Sequence, residues 1–147
     1  MKSYTSDPSC LSRINHLLNS EKHLDRIIGA LCTLDMDCFD SMIEDMQRCN
    51  NVSKHEFYCQ LTRFFDSTKK DGDRFFRVYS AQCENASCNK CGIRFFVFVA
   101  DFTNNYIGIK FYLEGDKVTS FAECGSIRCP VAMKSESKKL FFSVNPF

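Results

Sequence analysis

The hydrophobic period of this chain changes once, at Arg74, and that change limits the fold more than any other feature of the sequence. Before it, apolar residues recur at three- and four-residue spacing. After it, they alternate or run together in short β-branched and aromatic stretches. Asp7-Pro8 opens a first helix, because Asp can cap and Pro can take the first helical position, whose N–H lacks a helical partner anyway. Cys10, Leu11, Ile14, Leu17 and Leu18 form its stripe. Ser20 is the expected cap of a second helix bearing Leu24, Ile27, Ile28 and Leu31, and Asp35 restarts the chain into a third segment with Met36, Phe39, Met42, Ile43 and Met46. The clearest start signal is Val52-Ser53-Lys54-His55-Glu56-Phe57. Ser53 and Glu56 make a capping box, and Val52 and Phe57 a hydrophobic staple. The helix that follows carries Phe57, Leu61, Phe64 and Phe65 on one face.

Strand-like runs follow at Arg74–Gln82, Ile93–Asp101, Tyr106–Leu113 and Lys117–Cys124. Asn104-Asn105 and Gly115-Asp116 suit two-residue hairpin turns between them. Ile107, Ile109, Phe111 and Leu113 share one side of their strand; Gly108, Lys110 and Tyr112 share the other. Leu140–Val144 is a further strand candidate. Helices first and then an antiparallel meander predict an α+β fold, with the helices on one face of a curved sheet. The chain shows no repeat, linker or low-complexity stretch. Its 147 residues are therefore expected to form a single domain: helical over about 7–68, sheet over about 73–124, and a tail from 125 to 147.

Charge excludes one class of partner. With 19 Lys+Arg against 18 Asp+Glu and no basic run, nothing favours nucleic acid. The N-terminal residues lack an apolar signal core, and no stretch is long enough for a membrane span, so a cytoplasmic location is expected and no membrane partner. In a reducing compartment the 10 cysteines are thiols or metal ligands rather than a disulfide framework. The 15 Phe, with 5 Tyr and no Trp, read as a phenylalanine-rich core.

The sharpest chemical signal is Cys83-x4-Cys88-x2-Cys91-Gly92, between two strands. A two-residue gap lets both thiolates reach one ion, and Gly relieves the turn that follows, as in a zinc knuckle. A closed structural zinc site needs a fourth ligand. Cys124 and Cys129 would complete a two-knuckle ribbon, but strand counting places Cys124 near Ile107, about 30 Å along the strands from Cys91. The helix from Ser53 leads directly into the strand from Arg74, so its N-terminus is expected beside the Cys83–Cys91 loop. That makes Cys59 the candidate fourth ligand, with His55 four residues before it and Cys49 just upstream as alternatives. Cys10, Cys32 and Cys38 lie within or beside apolar stripes and read as core; Cys124 also reads as core, following Val118, Ser120 and Ala122 on one strand face.

The order of elements, from Leu34-Asp35-Met36-Asp37-Cys38-Phe39 through the capped helix to the strands, resembles the nuclear transport factor 2-like (SnoaL-like, cystatin-like) superfamily over roughly residues 20 to 124. The pattern Cys88-x-x-Cys91-Gly92, Asn105-Tyr106 and Glu123-Cys124 also resembles a group of small bacterial proteins with no assigned activity. The superfamily resemblance implies a sheet wrapped around a helix to leave a conical pocket, and pairing of two copies through the exposed sheet face. It supports two functions. One is a binding or scaffold module for a small molecule or a protein, carrying a structural zinc. The other is a small isomerase or hydrolase with an Asp or His base and a Tyr inside the cone. Candidates for that second role are Asp101, Tyr79, Tyr106 and Tyr112, although an Asp beside a hairpin turn is usually solvated.

Overall fold

The computed structural model describes residues 8–37, 39, 48–49, 52–83, 92–124, 127–128, 139–140 and 142. Its elements are α1 (Pro8–Leu18), α2 (His23–Cys32), β1 (Arg48–Cys49), α3 (Lys54–Lys70), β2 (Phe76–Cys83), β3 (Ile93–Ala100), β4 (Tyr106–Glu114), β5 (Lys117–Glu123) and β6 (Ile127–Arg128). The fold is α+β, with helices preceding a curved antiparallel meander, β2 to β5. The sheet order is β1-β5-β4-β3-β2-β6, and β1 runs parallel to β5. α2 comes close to both β2 and β5. Those strands would stand about 14 Å apart in a flat sheet, so the sheet curls around the helix.

Helix starts follow the local chemistry. Pro8 is the first residue of α1. Ser53 has an extended backbone, and its Oγ accepts from the Glu56 N–H at 3.0 Å, one half of the capping box. Val52 and Phe57 both reach the core. The Asp35 carboxylate accepts from the Asp37 N–H at 2.9 Å, and Met36, Asp37 and Phe39 are helical; Cys38, Met42, Ile43 and Met46 lie outside the described residues. Ser20 does not cap α2. The N-cap is Lys22, which has no side-chain cap bond, while the Ser20 hydroxyl donates to Asp25 and accepts from the Lys22 N–H. The stripe of α1 is narrower than its spacing suggests: Ile14 is buried, Leu17 and Leu18 half-buried, and Leu11 is 52% exposed. α1 lies close on α2, because a Cβ on Gly29 would sit 3.1 Å from both Leu17 Cβ and the Leu18 backbone N.

The helix-facing side of the sheet is packed with rings. Phe96 and Phe98 of β3, Ile107, Ile109 and Phe111 of β4, and Val118 and Phe121 of β5 join α2 and α3 in one apolar cluster. Fully burying a Phe contributes about 1.5–3 kcal/mol, so this layer dominates the stability. α3 crosses the sheet obliquely. Near its N-terminus Phe57 meets Phe121 of β5 at 5.1 Å, and two turns on Phe64 stacks on Phe76 of β2 at 5.9 Å. The other side of the sheet is also apolar at its centre: Phe95, Val97, Val99 and Cys124 form a second buried cluster, flanked by Tyr79, Ala81, Ile93 and Tyr106.

Two details of the meander differ from the pattern in the sequence. Asn104-Asn105 is not a two-residue turn. Asn105 O accepts from the Ala100 N–H, so the loop comprises residues 101–104, with Asn104 left-handed at φ 62. Gly115-Asp116 is a two-residue turn, between paired Glu114 and Lys117, with Gly115 at φ 61 as primed hairpin turns require at that position. The second difference is a bulge. Tyr112 pairs with Ser120 but Leu113 pairs with Val118, which leaves Thr119 as the extra residue. Val118 therefore faces the helices with Phe121, whereas Ala122 and Cys124 face outward, so Val118 does not share a face with them.

Leu34 closes α2 in the left-handed region, at φ 56, and is fully buried. A left-handed backbone costs a Cβ-bearing residue about 1–2 kcal/mol, less than burial of the side chain returns. Leu34→Ala should cost about 2–4 kcal/mol of unfolding free energy in urea. Leu34→Gly, although smaller still, should be the more stable of the two by roughly 1 kcal/mol, since it relieves the backbone strain.

Candidate functional site

Polar chemistry in the described structure gathers where the α3–β2 and β3–β4 loops meet. Asp73 and Asp101 are 3% and 4% exposed, and each holds the other's loop. The Asp73 carboxylate accepts from the N–H groups of Phe102 and Thr103 at 2.9 and 2.8 Å, and from the Thr103 hydroxyl at 2.9 Å. Asp101 Oδ1 accepts from the N–H groups of Arg74 and Phe75 at 2.7 and 3.3 Å, and the Asp101 N–H donates to Phe75 O. Asp101 Oδ2 is buried with no hydrogen bond and lies 3.7 Å from the Arg74 guanidinium. Gly72, at φ 102, lets the Phe102 ring lie against the turn. Asp101 is thus neither a solvated turn residue nor aimed into the helix–sheet interior. Its carboxylate fixes backbone.

The three tyrosines proposed for a cone pocket stand elsewhere. Tyr79 and Tyr106 pack on the outer cluster. The Tyr79 hydroxyl accepts from Arg77, whose other guanidinium nitrogen donates to Asn104. Tyr112 lies beneath Lys110, 5.6 Å from Nζ to ring centroid. None of them is brought together with Asp101 by a hydrogen bond among the described residues. The outer face expected to receive a second copy is buried at its centre within one chain, with Val97 at 0% and Val99 at 2% exposure.

Of the proposed zinc ligands, Cys88 and Cys91 lie outside the described residues, as does Cys129; Cys83 and Cys49 are described in backbone only. Cys83 ends β2 and pairs with Ile127 of β6. Gly92, directly after Cys91, is left-handed at φ 90, and its carbonyl accepts from the Leu113 N–H at 2.7 Å. Cys59 and His55 are neighbours, with Sγ 3.9 Å from Nε2. They lie on the side of α3 opposite Phe57, Leu61 and Phe64, because 3.6 residues per turn places them there. Through the oblique crossing, this first turn of α3 stands over β5 and beside β1 rather than over the end of β2. Cys49 is on β1, at the opposite end of the meander from Cys83. Among the described residues, no three His, Cys, Asp or Glu side chains converge as a metal site.

Cys124 is 8% exposed in the outer cluster, and Cys32 is fully buried in the inner one, both as core residues. The Cys124 N–H donates to Gly108 O, five residues along β4 from the Leu113 that holds Gly92. That is about 17 Å along the strand, shorter than the expected 30 Å because β5 stops before the β3–β4 loop, yet still far beyond a zinc–thiolate bond of about 2.3 Å. One residue without any pattern in the sequence gains a role. His23 Nδ1 accepts from the Val118 N–H at 3.0 Å, tying the start of α2 to β5, and this requires Nδ1 unprotonated.

Asp73→Ala strands two backbone donors of the neighbouring loop. It should lower unfolding free energy by at least about 2 kcal/mol, with Asp73→Asn intermediate, as measured by urea midpoint. Asp101→Ala combined with it should cost less than the sum of the two, since both act on one loop pair. Comparison with protein-family models, with curated proteins and with solved structures finds no match for this chain.

Proposed function

We propose that this chain is a small non-catalytic binding or scaffold module whose Cys83–Cys91 segment holds a structural zinc ion. One observation carries the non-catalytic half: the helix–sheet interior is closed by phenylalanine, and the buried carboxylates Asp73 and Asp101 are engaged in fixing loop backbone. A general acid–base pair needs titratable groups within hydrogen-bond reach of each other and of a substrate; Tyr79 and Tyr106 pack on the outer sheet face, away from the helix–sheet interior, while Asp101 is engaged with the Arg74 and Phe75 backbone.

The zinc half rests on the spacing of Cys83, Cys88 and Cys91 and on the backbone beside them. The left-handed Gly92 supplies the turn that a knuckle requires, and the segment springs from strands β2 and β3, which are paired with each other. A structural ion there would tie together a connection of eight residues between Cys83 and Gly92. Cys59 is the fourth ligand favoured by sequence spacing. Its partner His55 is held beside it, though on the side of α3 turned away from the sheet. The order of helices, short strand, capped helix and meander supports the likeness to the nuclear transport factor 2-like superfamily, and the near-neutral charge fits a protein or small-molecule partner in the cytoplasm.

Metal content of the purified chain tests this. About one zinc per chain is expected, falling to less than about a tenth in Cys88→Ser and Cys91→Ser. Less than about half a zinc in the natural sequence, or unchanged content in both variants, rejects the zinc. Cys59→Ser decides the fourth position: loss of metal assigns it to Cys59, and retention moves it to another group.

A further inference from the structure

α3 turns one side away from the apolar cluster, and two side chains able to ligate a metal share that side. His55 is exposed and Cys59 half-buried, on successive turns of the helix, with Sγ 3.9 Å from Nε2. An ion held tetrahedrally by a thiolate at about 2.3 Å and an imidazole at about 2.0–2.1 Å spaces those two donor atoms about 3.6 Å apart. The pair therefore needs to close by only a few tenths of an ångström to chelate. Both groups hang from one helix, so no backbone has to move. What the pair lacks is the other half of a shell. A closed zinc site takes four ligands, and among the described residues no third His, Cys, Asp or Glu side chain converges with these two. Tyr58 stands next to them on the helix and is 41% exposed.

We infer that His55 and Cys59 are half of a zinc site that a second copy of this chain completes, two α3 helices meeting about a twofold axis so that each supplies one imidazole and one thiolate. A twofold interface presents the same patch from both sides, so two ligands become four without any further residue. Each thiol gives up its proton on binding, and two thiolates with two neutral imidazoles leave the bound ion without net charge. That lowers the cost of enclosing it between two protein surfaces. The exposed Tyr58 ring supplies apolar area beside the ion, with a hydroxyl that stays wet at the rim of the contact. Copies pair in this way through α3 and not through the outer sheet face, whose centre is already buried. The inference deepens the binding-module reading by naming a second copy as the partner. It does not rest on an ion at Cys83–Cys91, and it takes Cys59 from the fourth position there.

Sedimentation equilibrium of the full chain with and without added zinc, with metal content measured on the same samples, tests the inference. Added zinc should tighten self-association at least about a hundredfold, with about half a zinc per chain bound beyond any held at Cys83–Cys91. His55→Ala and Cys59→Ser, both on the side of α3 away from the core, should each abolish that response and the extra half-equivalent. His55→Cys, which exchanges one ligand for another, should retain both. Self-association that zinc leaves unchanged, or that responds equally in His55→Ala and Cys59→Ser, overturns the inference. Loss of a Cys83–Cys91 ion in Cys59→Ser also overturns it, because Cys59 would then belong to that ion. Zinc-dependent pairing in a chain whose Cys88 and Cys91 bind no metal would reject the structural zinc and leave this site standing.

Discussion

Ring-on-ring contact among phenylalanines is the interaction on which the rest of this structure depends. A connected path runs from Phe57 to Phe121 and Phe111, on to Phe96, and separately from Phe64 through Phe76 to Phe98, so it links α3 to all four strands of the meander. Phenylalanine brings area without a polar handle, so these rings need no buried hydrogen-bond partners. The ring layer itself carries no hydrogen-bonding groups, and among the described residues the buried carboxylates, Asp73 and Asp101, stand in the loops.

The loops in turn are organised by exchange. Asp73 follows α3 and Asp101 follows β3, and each accepts backbone N–H groups from the other's loop. A buried carboxylate is tolerated when several donors converge on it, and here the donors are amides that the turns would otherwise leave unpaired. This exchange sets where α3 ends relative to the sheet. It helps to define the oblique course that brings Phe57 over β5 rather than over the end of β2.

Much of the fold was legible because it is local. The change of period at Arg74, the Ser53 cap, Pro8 at the start of α1 and the Gly115-Asp116 turn each depend on residues within one or two turns of chain. What could not be read depends on contacts distant in sequence or on one-residue irregularities. The Thr119 bulge turns Val118 to the helix side without leaving a mark on the alternation. Asp101 reads as a solvated turn residue because its partners, Arg74 and Phe75, lie 27 and 26 residues away. The four-residue β3–β4 loop was hidden because Asn104-Asn105 is itself a good turn pair, although Asn105 is spent on pairing with Ala100. Phe142 sits in the weakly bounded C-terminal run, and nothing nearby in sequence indicates that its ring inserts between α3 and β5.

The cysteine segment remains the place where the sequence points to chemistry beyond packing. Cys32 and Cys124 are absorbed into the two apolar clusters, and strand pairing holds Cys124 apart from Gly92. That leaves the spacing Cys83-x4-Cys88-x2-Cys91 with a left-handed Gly92 beside it. X-ray absorption at the zinc edge of the purified protein examines this claim most directly. A first shell dominated by sulfur at about 2.3 Å is the predicted result. A shell of nitrogen and oxygen alone at about 2.0–2.1 Å, or no zinc in the protein, would contradict it.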